Sequence, residues 1–579
     1  VQRSQLTTPA PENGANRSLD RLFVVGLLIA GGLYMAPLLT NLTAISLNDD
    51  WTQIFAFQSY LHDSILEHGE VPHRAHWLGS GFPIIAHPEY PILSPLTAVV
   101  LAFGPIGGTK LNVILVTLIG MAGMWLFCRR TLKAAVGPAV YGTLAFTFSG
   151  WLPAILQSGN YPEIYFLWFP LLAYLVLRDQ RFDGALVLAG VVATVMLLDG
   201  HLNTVCCLGV LFLWSALRSR HAVVRSLIFL GITAGLAAFK LIPTIALLVI
   251  EDRSIDAYQA IETVPFQWRA FAGYQAETTG FSLGPLPWLL AFASVAWWRQ
   301  TWPLLAAFVV SALLYLGPSA PIDLFWLLSR LPVLSSIDAP SKYFVVFAGF
   351  FAIALGVQTL MTVPSRWRTW LTPACTLLTV VPLVLLNRPL MSEVFTKPDI
   401  PAIDRAFTQV DTDYFVSDVW TGPEDKRPDL YRAYQRGVGL LRWEDNFQLP
   451  VQTLAAWTIE SDGSTTVHSN YPQEASLAQG HGRAKVTSIG ANHLKVAYTA
   501  TLTDSVVVNQ HYAPGWRCTP SDPIDQAGLL TIPIDAGEGV VSCAFSARAL
   551  QWGAGISWTT LATLLIGLWL RRRRERALP

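Results

Sequence analysis

The chain has 579 residues, of which 52% are hydrophobic and 13% charged, with 21 tryptophans and a formal net charge of +0. So apolar a composition excludes a string of ordinary soluble domains and indicates a polytopic membrane protein. The balanced charge gives no global field that would draw the chain to nucleic acid, so what matters is where the charges fall.

Residues 1–20 are polar, carry Pro and Gly, and lack the order of a cleavable signal peptide, which reads as a disordered cytoplasmic tail. The apolar run from Arg21 to Ala44 is long enough to cross a hydrocarbon core of about 30 Å. Arg17 and Arg21 precede it and Asp49 and Asp50 follow it, so the N-terminus is expected inside and the two carboxylates outside. After Trp51, residues Ile54, Phe57, Leu61 and Ile65 form one stripe, with Gln53, Gln58, His62 and Asp63 elsewhere. This is the period of an amphipathic helix lying along the membrane surface. Gly69 and Pro72 stop it, and the Gly- and Pro-dense segment to Pro95 reads as an ordered part of a first outer loop, residues 45–108. Within that loop, Ile92 to Phe103 is apolar but too short to span, and is expected to be interfacial or re-entrant.

Further spans are expected at 109–128, 134–151, 163–178, 184–199, 202–217, 225–250, 284–298, 303–317, 343–361, 369–387 and 552–570. They place every basic connector on one side: Arg129, Arg130 and Lys133; Arg178 and Arg181; Arg218, Arg220 and Arg225; Arg299; Arg366 and Arg368; Arg571 to Arg574. The expectation is therefore a polytopic α-helical protein of about twelve transmembrane helices with both termini cytoplasmic. Its transmembrane core would occupy 21–387, an extracytoplasmic β-rich domain 388–550, and a last helix with a basic tail 551–579. Within the outer domain, HLKVAYTA and DSVVVNQHY alternate as antiparallel strands do. Cys518 and Cys543 are its only two cysteines, and an oxidising compartment would permit a disulfide between them. Cys128, Cys206, Cys207 and Cys375 lie in or near spans and read as apolar packing residues.

No phosphate-binding loop, dinucleotide fingerprint, CxxC pair, HExxH or GxSxG motif stands out, so ATP-driven transport and zinc hydrolysis have no direct support. What remains is a set of acidic, His and aromatic residues on the outer face. An Asn or Asp before a helix caps it, and a neighbouring carboxylate is free to act as general base toward an acceptor hydroxyl. The pair Asp49 and Asp50 would also serve to hold a divalent cation against a phosphate, although one such pair specifies no ligand geometry. His73, Arg74 and His76 read either as a solvated loop or as phosphate contacts. Asp199 and His201 flank a Gly at an outer turn, where ionisable residues at membrane depth are functional candidates, and Glu251, Asp252 and Arg253 end another span.

A series of short motifs runs through the chain: Asp50, Gln53, Gly69, Pro72, Trp77, Gly81 with Pro83, and Pro88 to Pro95. Ser149-Gly150 then leads to Trp168 and Pro170, Leu198 to Asn203 forms a Gly-His corner, and Pro514-Gly515-Trp516 closes a strand. In these the chain resembles the YfhO-like bacterial membrane proteins, which belong to the GT-C class of polytopic glycosyltransferases. It departs from that pattern at Asp338, where the family commonly has Arg before Pro340, and at Leu202-Asn203, where it often has Pro-Gln. The resemblance implies a GT-C-like fold in the bacterial inner membrane and transfer of a sugar from a polyprenyl-phosphate carrier to an acceptor on the outer face. It implies Asp50 as base, Asp49 as cap or cation ligand, and His201 as a polar wall. Lys342, Arg253 or Arg74 would be phosphate partners, and Gln53, His87 and Glu89 further substrate contacts of the first loop. The other expectation, favoured by Asp338, is a non-catalytic GT-C-like subunit that structures or assembles a larger membrane complex.

Overall fold

The computed structural model describes residues 14–46, 48–178, 182–199, 203–250, 273–274, 281–330, 340–399, 415–417, 430–435, 437, 439–441, 457–459, 465–469 and 471–577. Among them six helical stretches are long and apolar enough to cross a membrane: Pro105–Thr131, Val136–Ser158, Pro285–Ser319, Tyr343–Thr362, Ser365–Val394 and Arg548–Arg573. A seventh candidate is a pair, Arg220–Leu236 and Ala238–Leu248, bent by 81° at its break. The chain is thus a membrane protein by the length and apolarity of its helices, but the expected count of about twelve is corrected to six or seven.

The difference has identifiable causes. The run from Arg21 to Ala44 is a helix only to Tyr34 and then turns, and that helix already begins at Gly14, inside the stretch read as a tail. Tyr161–Val176, Gly184–Asp199 and Thr204–Arg218 have fewer than 18 residues. At about 1.5 Å per residue they fall short of a hydrocarbon core of about 30 Å. The two runs at 284–298 and 303–317 belong to one helical stretch that includes a 3-10 turn at Ser294–Trp297.

The helix Pro340–Thr362 forms the centre of the helical layer, and its residues from Tyr343 to Leu355 are buried. Its Phe347, Phe350 and Phe351 meet Phe127, Phe166, Phe169 and Trp214 with ring centroids 4.9–6.2 Å apart. Such aromatic contacts supply large buried area in defined geometries.

The two ends of this layer differ in chemistry. At one end Arg129 donates to Asp20 at 3.0 and 3.1 Å. There Arg225, fully buried, donates to Asp183 at 2.6 Å and to the Leu175 and Val176 carbonyls, while Arg571 donates to the Phe182 carbonyl. At the other ends of the same helices lie Lys110, Glu163, Asp199 and Lys240, all buried.

The C-terminal part is β-rich and holds three four-stranded sheets. In the first, Phe415–Ser417 pairs in parallel with Gly439–Leu440 and with Trp457–Ile459, and Trp457–Ile459 pairs antiparallel with Thr465–Val467, so this sheet is mixed. The other two are antiparallel: Ile524–Gln526, Leu529–Ile534, Asp504–His511 and Ala475–Leu477 in one. Gly482–Ile489, His493–Ala500, Gly537–Phe545 and Trp516–Thr519 make the other. His493–Ala500 and Asp504–His511 follow each other in the chain but enter different sheets. Their inward residues, Leu494 and Val496 against Val506 and Val508, share one core with Ile532, Val541 and Phe545. The pair is therefore a sandwich. Cys518 and Cys543 are directly opposite in the second of these sheets and are joined as a disulfide.

Candidate functional site

The site is built outward from Asp50. Asn48, in extended conformation (φ −64°, ψ 137°), is the N-cap of helix Asp49–Leu66, and its Oδ1 accepts from the Asp50 N–H at 3.1 Å. Its Nδ2 donates to the Gln157 carbonyl at 3.3 Å, and the Trp51 indole N–H donates to the Leu156 carbonyl at 2.7 Å. The first turn of one helix thus satisfies orphan carbonyls at the end of another, Trp151–Ser158. Gly159 ends that helix in left-handed conformation, φ 79°. A Cβ on it would stand 2.6 Å from Asp50 Cβ and 2.8 Å from Asn48 Oδ1, so only glycine lets the two segments close on each other here. Asp50 is half-buried in this contact, beside the positive end of the helix dipole.

Two arms of buried polar groups lead away from it. Along the helix, Gln53 donates to Glu89 at 3.1 Å, and the Glu89 N–H donates to His87 Nδ1 at 3.2 Å. The His87 ring is buried against Phe57 and Phe82, with centroids 5.2 and 5.7 Å away. The carbonyls of Ile85, His87 and Tyr90 converge on the ammonium of Lys240 at 3.2, 2.7 and 2.9 Å. The second arm starts at Tyr161, whose ring lies 6.0 Å from that of Trp51 and whose hydroxyl is 3.5 Å from that of Tyr165. Asp199 lies within electrostatic reach of Ser94, Tyr165 and Lys240, which brings the two arms near each other. Glu163 is buried beside them and accepts from Asn203 at 3.4 Å.

The amphipathic reading of helix Asp49–Leu66 is overturned by this enclosure. Every residue from Trp51 to Leu61 is buried, including Gln53, Gln58 and Ser59. The loop that follows and the short helix Leu430–Gln435 cover the face that the sequence pattern left to solvent. Tyr434 donates to Asp63 at 2.7 Å from that covering helix.

Arg74 sits on the opposite side of the loop, away from the ring of carboxylates. Its guanidinium lies over Trp516 and Phe545, 4.7 and 5.2 Å from their centroids. It donates to the Gly81 carbonyl at 3.1 Å and to the His511 carbonyl at 3.2 Å, and is buried. Around it, His73 N–H donates to Asn492 at 2.8 Å and Glu70 meets His493 at 2.6 Å. Arg74 thus joins the first loop to the sandwich, and burial lowers its pKa to about 9. His201 and Arg253 lie outside the described residues, as does Asp338. Asp49 stands in the first turn of its helix and Lys342 in helix Pro340–Thr362, with their side chains outside the described part.

Glu163, Tyr161, Tyr165, Ser94 and Lys240 were not among the residues the sequence singled out for the site. The signal existed for two of them: Glu163 is the one charged residue in the aromatic run YPEIYFLWFP, and Lys240 is the one charge in its helix. An ionisable group at membrane depth is a functional candidate by default. Ser94 and the tyrosines carry no such mark. Chemically, four carboxyl groups, several hydroxyls and one ammonium around a shared polar region suit the binding of a hydroxyl-rich ligand and proton transfer to or from it.

No protein-family model matches the sequence, and no curated protein matches it. Among solved structures the chain is similar to the arabinofuranosyltransferase AftD from Mycobacteria, with 13% identity over 91% of this chain and 40% of that one and a TM-score of 0.43. It is also similar to the oligosaccharyltransferase of Archaeoglobus fulgidus in the apo form, with 9% identity over 74% of this chain and 65% of that one and a TM-score of 0.41. The chain spans about 40% of the length of the arabinofuranosyltransferase and 65% of that of the oligosaccharyltransferase.

Proposed function

We propose that this chain is a GT-C-type membrane glycosyltransferase that moves a sugar from a polyprenyl-phosphate donor to an acceptor on the outer face of the bacterial inner membrane. The observation that carries the reading is the gathering of buried polar groups on the elements around the Asp50 helix, Gln53 with Glu89, Lys240 on the His87 carbonyl, and Asp199 near Tyr165, at the end of the helical layer opposite its arginines. In the reaction, the Asp50 carboxylate takes the proton of the acceptor hydroxyl as that oxygen bonds the anomeric carbon. The bond from the anomeric carbon to the carrier phosphate oxygen breaks, and its electron pair leaves with the polyprenyl phosphate. The carrier tail stays in lipid while His201 walls the sugar and Lys342 or Arg253 meets the phosphate, roles that rest on the resemblance. Gln53, His87 and Glu89 position the sugar. Asp49, beside Asp50, serves as helix cap or as ligand of a divalent cation against the phosphate, a role that also rests on the resemblance.

The test is transfer by the purified full chain from a polyprenyl-phosphate sugar. Asp50→Asn is expected to lower kcat by about 10²- to 10⁴-fold with its melting temperature unchanged. Turnover equal to wild type would remove Asp50 as the base.

A second reading, a non-catalytic assembly subunit, is favoured by the consumption of Arg74 in the contact with the sandwich. It predicts co-purification with a stable larger membrane complex and no transfer by the isolated chain.

A further inference from the structure

We propose that the arginine end of the helical layer binds the headgroup of an anionic phospholipid between helix Gly14–Tyr34 and helix Pro105–Leu126. A cavity of about 550 Å³ opens there, lined by Arg21, Arg129, Arg130 and Asp20. Among its described lining residues three guanidinium groups stand with one carboxylate, which favours a phosphodiester anion. Arg129 donates through one terminal nitrogen to Asp20 and through the other to the Ala134 carbonyl at 2.5 Å. Its Nε–H is buried and reaches no protein acceptor among the described residues. Helix Pro105–Leu126 belongs to a stretch long and apolar enough to cross a membrane, and basic pockets beside such helices bind lipid headgroups of this charge.

The walls of the cavity distinguish a lipid from a free phosphate. Val25, Ala122 and Leu126 line it beside the arginines. From Val25, an exposed apolar track continues through Ile29 and Leu33 along the first helix, 54%, 57% and 64% accessible. From Ala122, another runs through Ile119 and Leu115 along the second helix. These spacings of three to four residues keep each track on one helix face. Trp125, part of the cavity wall, stacks on Phe23 at 6.3 Å and lies under the Arg129 guanidinium at 5.9 Å, which fixes the guanidinium at the mouth. Cations at the mouth with apolar tracks leading from it describe an amphiphile with one phosphodiester and extended acyl chains.

The test is native mass spectrometry of the purified full chain with added phosphatidylglycerol or phosphatidylcholine, on wild type, Arg21→Gln/Arg130→Gln, and Ala122→Trp, which fills the cavity without changing charge. Wild type is expected to retain phosphatidylglycerol in preference to phosphatidylcholine. Retention should fall about fivefold per arginine removed and comparably in Ala122→Trp, with melting temperatures held near wild type. Equal retention of the two lipids, or wild-type retention of phosphatidylglycerol in both variants, would overturn the proposal. Displacement of phosphatidylglycerol by millimolar inorganic phosphate would also overturn it, in favour of a soluble anion.

Discussion

Single residues in the sandwich and its joint to the first loop show how burial sets protonation. Burial pushes the carboxyl of Glu474 up to about 8, with hydrogen bonds from Tyr471 and Asn509 opposing it. An unfolded Glu loses its proton near 4.5, so between that pH and 8 the folded chain binds more protons, and stability falls as pH rises. Burial, with the nearby charge of Arg74, holds the ring of His76 down at about 3. There the sign reverses: below 6.5 the unfolded chain binds more protons, and stability falls as pH drops. Between pH 6.5 and 8 the Glu474 effect therefore acts without that of His76. Thermal melts of Glu474→Gln in this window are expected to lack most of the decline with pH that wild type shows. An unchanged slope would remove Glu474 as its source.

At the scale of elements, the coupling of the first loop to the sandwich depends on one tight turn. Gly81 has φ 107°, and a Cβ on it would lie 1.7 Å from Nη2 of Arg74. Gly81→Ala must strain the backbone and expel the guanidinium from its place over Trp516, at a cost of about 1–3 kcal/mol or more. The check is a fall in melting temperature together with faster proteolysis of the sandwich. Gly26→Ala serves as control: it is helical, has open space around it, and is expected to be neutral or stabilising by up to about 1 kcal/mol. The Pro-Gly-Trp turn was legible as a motif, but its partner was not. Trp516 and Arg74 are 442 positions apart in the sequence, and no local pattern pairs them. The helix Asp49–Leu66 was legible in the same partial way. Its periodicity marked a helix, while the cap assigned to Asp49 falls on Asn48 and the cover comes from Leu430–Gln435 far along the chain.

For the whole molecule, the separation of arginines from the carboxylate ring predicts sidedness. Leu502→Cys, in an exposed turn of the sandwich, is expected to react with a membrane-impermeant maleimide on cells with intact inner membranes. Ser365→Cys, exposed at the start of helix Ser365–Val394 on the arginine side, is expected to react only after permeabilisation. The reverse pattern would put Asp50 on the cytoplasmic side and sink the proposed outer-face reaction. Charge placement marked Arg129, Arg225 and Arg571 as one end of the layer, whereas Arg299, read as a connector, lies inside the helical stretch Pro285–Ser319. The number of crossings was not readable in the same way. A window of apolar residues looks alike whether a helix faces lipid or packs inside the protein. Tyr161–Val176 and Thr204–Arg218 are apolar because they line the aromatic core around Phe169 and Trp214.

What the sequence by itself determined is what composition and local order carry: a membrane protein with a β-rich C-terminal region and a helix that begins at the Asp49-Asp50 pair. Only the tertiary structure decided that helix Asp49–Leu66 is enclosed, that Arg74 is committed to the sandwich, and that Glu163, Asp199 and Lys240 are buried at the end of the helical layer opposite the arginines. The reason is physical. Hydropathy and helix signals arise from residues within a few turns of each other. The burial of a polar group depends instead on partners that the fold brings from far along the chain.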